Sequence, residues 1–297
     1  MKTPLRFGGS LTTLLLFGLG GATAYAQPTD RGGDFELAAR YSHTDASDLN
    51  DAGPGAEVGV DSFSLALRAS ASLGEQTRLL YGMEWTRHDL AGTHWLPDDL
   101  SSVAAPLGVS HAFDDMWRLL VSVTPRLAGA DGGLSSAGLD VPVLAVASYT
   151  VSPELTWSFG LRYGPRSDTA LLPIAGVVWQ FAPDWNLKVG WPESGVSWRA
   201  TRHLTLRAVA TIHGGDYRLG ADPRSVADRV GPSLGDTWLE YREIRVGLAA
   251  EYAIGSTLSL RADLGQVVDQ RFEYTDRNVT LDGESPLYFG GSVVVRF

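Results

Sequence analysis

The 297-residue chain contains no cysteine. That excludes disulfides, thiolate nucleophiles and Cys-ligated metal sites. It also suits passage through an oxidising compartment, where a thiol could misbridge. Long apolar runs are equally scarce. After the first 27 residues no segment is apolar for 18 residues, so a transmembrane helix is not expected. Helical periodicity is nearly absent there too. Basic residues number 24 against 34 acidic ones, a formal charge of −10, which excludes a typical nucleic-acid binder. No Pro/Ser linker divides the chain, and no P-loop or dinucleotide fingerprint occurs.

The N-terminus reads as a secretory signal peptide over residues 1–26. Lys2 and Arg6 form a basic start, Leu11 to Leu19 a short apolar stretch, and Ala24-Tyr25-Ala26 a small-x-small cleavage pattern before Gln27. No Cys follows the site, so a lipid anchor is not expected. Without Lys2 and Arg6 the formal charge is −12. Residues 27–297 then form one domain.

What is abundant is period-2 alternation. Fourteen alternating runs are predicted as strands: 34–44, 60–73, 77–88, 103–113, 116–127, 141–151, 154–163, 171–181, 185–191, 196–200, 204–213, 238–252, 257–268 and 287–297. The two shortest, 185–191 and 196–200, are the weakest, and omitting them leaves twelve. Mean hydropathy is only −0.02. In a membrane barrel, however, lipid-facing and lumen-facing residues cancel in that average. Most runs have the 9–12 residues that cross a bilayer at a tilt. Nine Trp, ten Tyr, ten Phe and 34 Gly suit aromatic girdles and tight turns. The connections alternate between short, such as Gly74-Glu75-Gln76, and long, such as 214–237. Only the link 192–195 is short where a long one is due.

The final run places Leu287, Phe289, Gly291, Val293, Val295 and Phe297 on one face. A closing strand that ends in Phe resembles those of bacterial outer-membrane β-barrels, although Ser292 stands where that family usually has Gly. The resemblance implies a closed antiparallel barrel in the outer membrane with both termini periplasmic. It implies that Phe297 and its strand are read by the barrel assembly machinery, and that outer-membrane lipid and lipopolysaccharide are the surroundings. The segment LLPIAGVVWQFAPDWNLKVGWPESGVSW, from Leu171 to Trp198, with Gly214-Gly215-Asp216-Tyr217-Arg218-Leu219, resembles an uncharacterised family of such barrels that carries no activity to transfer.

Residues out of phase with the apolar set are expected to face the lumen, because Arg on the lipid side costs roughly 2–4 kcal/mol near the midplane. They include Arg68, Arg118, Arg162, Lys188, Arg199, Arg207, Glu243, Arg245, Arg261 and Asp263. Arg245 with Glu243 or Glu251, and Arg261 with Asp263, are expected pairs. The basic excess points to a passive, porin-like channel preferring small anionic solutes. Leu144, Val146, Leu172, Ile174 and Val178 interrupt this lining with an apolar patch, which keeps a route for hydrophobic solutes in view. The alternatives are a non-conducting structural or lipopolysaccharide-binding barrel and a hydrolase at the rim. The hydrolase would rest on His88-Asp89 with His94, Asp98 and Asp99, but their spacing matches no known ligand or catalytic pattern. Ser110-His111 would point to opposite faces of a strand. No enzyme, metal site or cofactor is therefore expected, and the solute is left open.

Overall fold

The computed structural model describes residues 35–50, 52, 55–166, 170–228 and 231–297. The signal-peptide segment 1–26 and the loop residue Asp51 lie outside them. The described residues contain no α-helix and form one sheet of eighteen segments. In chain order these are β1 (Phe35–Asp48), β2 (Glu57–Ser72), β3 (Thr77–Ala91), β4 (Asp99–Ala104), β5 (Leu107–Ala112), β6 (Trp117–Val123), β7 (Arg126–Ala130), β8 (Leu139–Asp140), β9 (Val143–Ser152), β10 (Leu155–Tyr163), β11 (Leu171–Ala182), β12 (Trp185–Val189), β13 (Glu193–Arg199), β14 (Leu204–Leu219), β15 (Thr237–Ile254), β16 (Leu258–Tyr274), β17 (Val279–Gly283) and β18 (Leu287–Arg296).

Four pairs of segments are single crossings with a break: β4/β5, β6/β7, β8/β9 and β17/β18. The crossings thus number fourteen, all antiparallel to their neighbours, in a closed barrel. Three of the breaks fall at Pro106, Pro125 and Pro142 on adjacent strands. A proline cannot donate to the ladder. Its carbonyl still accepts, and these three take the N–H groups of Gly82, Ala105 and Thr124 at 2.9–3.0 Å. Closure is made by β1 against β18, in register from Glu36↔Arg296 to Thr44↔Tyr288. No sheet edge is left along that seam.

Alternation decides which side each residue takes. On β2, Phe63, Leu65 and Leu67 face outward and exposed, while Ala66 and Arg68, on the alternate positions, are buried. The outward set forms the apolar band that a bilayer covers. Phe113, Trp117, Phe181, Trp185 and Tyr252 lie on it near the short turns, Tyr163, Phe63 and Trp85 near its other edge. The two short runs prove to be real strands, with shifted bounds: β12 stops at Val189 and β13 already starts at Glu193. The run 257–268 continues to Tyr274. Strands β1–β3 and β14–β16 have 14–18 residues, more than a bilayer needs, and so rise beyond the membrane band.

Candidate functional site

Above the band the barrel narrows. Beyond the β7–β8 pairing at Arg126↔Asp140 and Leu127↔Leu139, the neighbour of β7 becomes β14, through a parallel bridge between Gly129 and Arg218. On the far side, Leu49 bridges Gly283, closing β1 against β17. The outer ring therefore runs β1, β2, β3, β4, β7, β14, β15, β16, β17, and β9–β13 are left out of it. Its interior is filled by Val58, Val60, Leu100, Ala128, Tyr217, Leu219, Leu239, Tyr241, Phe272, Tyr274 and Leu281, all 2% exposed or less. The axial exit is capped by a hydrophobic core.

Three devices bend β14 over the lumen. Gly214 has φ +120°, and a Cβ there would meet the carbonyl oxygen of Tyr241 at 1.9 Å, so only glycine fits. Arg126 then ties three elements together. It donates to Asp140 Oδ2 at 3.3 Å, to Asp216 Oδ2 at 3.2 Å and to the Asp216 carbonyl at 3.1 Å. Next to it, the His88 ring sits edge-on to Tyr217 and Tyr241, 5.9 and 5.0 Å away, and its Nδ1 lies 2.7 Å from Ser62 Oγ. The segment Gly214–Leu219, singled out in the sequence, is thus the bend that makes the cap. Over it, Asp222 and Arg224 pair beneath Trp95, with the guanidinium 4.9 Å from the ring. Burial alone would raise the Asp222 pKa. Hydrogen bonds from the Arg224 side chain and from the N–H groups of Leu234 and Arg224 outweigh it and lower the pKa to about 2.

Below the cap the inner face carries ion pairs. Arg245, 1% exposed, donates to Glu243 at 2.7 Å and to Ser42 and Thr44, and Gln270 serves the other Glu243 oxygen. Of the two partners considered for Arg245, the structure selects Glu243; Glu251 instead receives Arg207 at 2.8 Å. Arg261 lies 3.7 Å from Asp263 and 3.9 Å from Glu193, and Lys188 lies 3.4 Å from Glu193. Glu36 pairs with both Arg68 and Arg296. Among the described residues Arg118, Arg162 and Arg199 have no ion pair. Arg199 is exposed near the short turns, whereas Arg162 is buried, its guanidinium 5.7 Å from the centre of the Trp191 ring.

The wall has one step at membrane depth. Val177↔Val189 is the last β11–β12 pair and Gly176 still lies against Gly190, so among the described residues Leu171–Ala175 of β11 has no strand partner on that side. On β14 the β13 pairing ends at Thr211, followed by one bond from Ile212 N–H to the Pro192 carbonyl at 3.0 Å. The hairpin tip Gly190-Trp191-Pro192 is the sill of a side opening. Its jambs are β11 and β14, about 17 Å along the strand for five residues. Its lintel is Arg166 of the β10–β11 loop, 5.3 Å from the Trp238 ring of β15.

Three neighbouring cavities lie on this side of the barrel. A vestibule lies at the short-turn end, between Gln180, Asn186, Arg199 and Arg207. It shares Val178 and Lys188 with an apolar cavity lined by Leu120, Leu144, Val146, Ile174 and Val178. That cavity reaches the wall at Val177 and Val189, and shares Leu144 and Trp191 with a third beneath the cap. The third is lined by Arg68, Glu84, Arg126, Arg162 and Val143. Sequence reasoning found the apolar patch and the charged lining separately. It missed their arrangement around Trp191.

The rim hydrolase finds no geometry. His88 is buried in the cap, while Asp89 points outward and accepts from Arg87 Nε at 2.7 Å. His111 bonds Thr77 rather than Ser110. No cluster of metal-ligating side chains occurs among the described residues.

No curated protein matches the sequence. Among solved structures, the chain is similar to a deltaS2S3 mutant of TodX, described as a monoaromatic hydrocarbon channel, at 12% identity over 91% of each chain and a TM-score of 0.53. It is similar to a Pseudomonas aeruginosa FadL homologue at 12% identity, covering 89% of this chain and 90% of that one, with a TM-score of 0.48. An outer-membrane channel from Pseudomonas putida F1 matches at 13% identity over 92% and 100%, also at 0.48. These likenesses concern the fold. The profile of DUF6268, a domain of unknown function, matches residues 83–281, and the chain belongs to that family of outer-membrane β-barrels.

Proposed function

We propose that this barrel is a passive channel whose solute route bends sideways: from the vestibule, through the apolar cavity, past Trp191, to the opening between β11 and β14. The observation that carries the reading is the coincidence of that opening with a cavity lined by Leu144, Val146, Ile174 and Val178. A water-filled anion pore along the axis would need an open outer end, and the apolar core fills it. Small apolar or amphipathic solutes fit the lining. TodX, the similar solved channel, is described as conducting monoaromatic hydrocarbons, which is the same class of chemistry. No covalent step and no cofactor enter this reading.

The charged set keeps a role in it. Ion pairing withdraws most of the basic excess, leaving Arg78, Arg118, Arg162 and Arg199 among the described residues to bias the lumen toward anions. The first and last described residues lie at the short-turn end, where the Phe297 N–H bonds the Phe35 carbonyl at 2.9 Å. That end is assigned to the periplasm, with Phe297 presented to the assembly machinery and the long loops beside lipopolysaccharide.

The test is toluene uptake into vesicles holding the refolded barrel. Ile174→Trp, which fills the apolar cavity, is expected to cut uptake several-fold while the barrel stays heat-modifiable. Uptake equal to the unsubstituted barrel would reject the route. The filled cap also favours a reading in which the barrel conducts no ions axially. Planar-bilayer recordings with stable large steps at neutral pH would exclude that.

A further inference from the structure

We infer that the cavity beneath the cap is a subsite for an organic monoanion with a compact aromatic body, its carboxylate on Arg162 and its ring against Trp191. The inference rests on the channel reading and adds the substrate class.

Three arginines line this cavity. Arg126 holds Asp140 and Asp216, and Arg68 holds Glu36. Arg162 is 7% exposed, and among the described residues its guanidinium has neither a hydrogen bond nor an ion pair; it lies 5.7 Å from the centre of the Trp191 ring, and Asp216, Asp140 and Glu240 reach it only through their fields. Its side chain opens on the cavity. A carboxylate supplies two oxygens at the spacing of its fork. Around it, Val143, Leu144 and Trp191 offer an apolar slot, and Arg162 lies in register with Leu144 and Leu172. Glu84 lines the same cavity, and Arg68 and Arg126 are engaged by Glu36 and by Asp140 and Asp216, so a second carboxylate on the ligand would find no base left for it there. A neutral hydrocarbon would make no use of Arg162.

The experiment is calorimetric titration of the refolded barrel in detergent micelles with benzoate and with its neutral isostere benzamide. Benzoate is expected to bind more tightly than benzamide. Arg162→Gln should weaken benzoate about tenfold or more, the worth of a charge-assisted hydrogen bond, and leave benzamide unchanged. Arg162→Lys, which keeps the charge and loses the fork, should fall between. Equal affinity for the two probes in the unsubstituted barrel overturns the inference. So does benzoate binding that is unaltered in folded Arg162→Gln. If that variant does not fold, the two-probe comparison and Arg162→Lys still decide. Toluene uptake by vesicles without benzoate preference removes the subsite and keeps the channel. Benzoate preference without any uptake does the reverse.

Discussion

Replacing Arg126 by Leu tests whether the cap is a stitched structure or merely a pile of loops. Arg126 sits where fourteen strands become nine. Its side chain and those of Asp140 and Asp216 are 6%, 1% and 6% exposed, so the charges interact with little screening. Removing one member of a buried ion group strands the others, at roughly 3–5 kcal/mol. Asp140 keeps the N–H of Val141 at 2.9 Å, a neutral donor that offsets only part of this. The loss is large against the roughly 5–15 kcal/mol of a typical domain. It falls on the β7–β14 junction, not on the membrane ladder. Arg126→Leu should therefore expose the outer segments to protease at temperatures where the barrel still migrates as folded. Small axial conductance steps should appear as the core below Tyr217 loosens. Adding Asp140→Asn and Asp216→Asn to Arg126→Leu should restore most of the protection, since no charge is then stranded. If Arg126→Leu keeps full protease protection and stays silent in a bilayer, the stitch is not what holds β14 over the lumen.

Gly214→Val combines a forbidden φ with a Cβ placed 1.9 Å from the Tyr241 carbonyl; it should destabilise the cap by more than about 2 kcal/mol, read as faster hydrogen exchange at Tyr217 and Leu219 with the β9–β13 amides unaffected. Asp222 predicts a pH window: its folded pKa, about 2, lies below the ordinary 3.8, so its stabilisation is present above pH 4 and is lost as the pH falls from 4 to 2. Protection of the Leu234 amide, which donates to Asp222 at 3.0 Å, should fall across that window and be low and flat in Asp222→Asn.

The barrel was legible in the sequence because alternation is local. Phe63, Leu65 and Leu67 show their face without knowing their neighbours, and a step of two residues fixes all fourteen crossings. The cap was not, because it depends on Gly129 meeting Arg218, 89 positions apart. The strand ends that build it, such as Asp99–Ser102 and Gly214–Leu219, read as loop when counted against a bilayer's thickness. Arg126 falls inside the predicted run 116–127, but its partner Asp140 lies just outside the run 141–151 and reads as loop. Two signals did point the way. The link 192–195 broke the short–long rule, and it belongs to the hairpin whose tip is the sill of the opening. The double glycine at 214 and 215 stood within the family-like segment, and it is the bend.

The side opening is the feature a bilayer should least tolerate, since unpaired strand edges cannot face lipid. This wall lessens that cost at defined places. Pro173 on the free stretch of β11 has no N–H to satisfy. At the sill, Ser194 Oγ accepts the Gly190 N–H and donates to the Gly190 carbonyl, both at 3.0 Å. The remaining groups on Leu171–Ala175 need water or solute, which the adjoining cavities supply. If the opening is a route and not a defect, closing it should raise stability and abolish transport together. Inserting two alternating residues on each side of Gly190-Trp191-Pro192 would extend β12 and β13 along β11 and β14. The expected result is a higher thermal midpoint, loss of toluene uptake, and an unchanged vestibule as probed by thiol labelling at Asn186→Cys. An extended hairpin that folds, gains stability and still admits toluene would show that the solute crosses elsewhere.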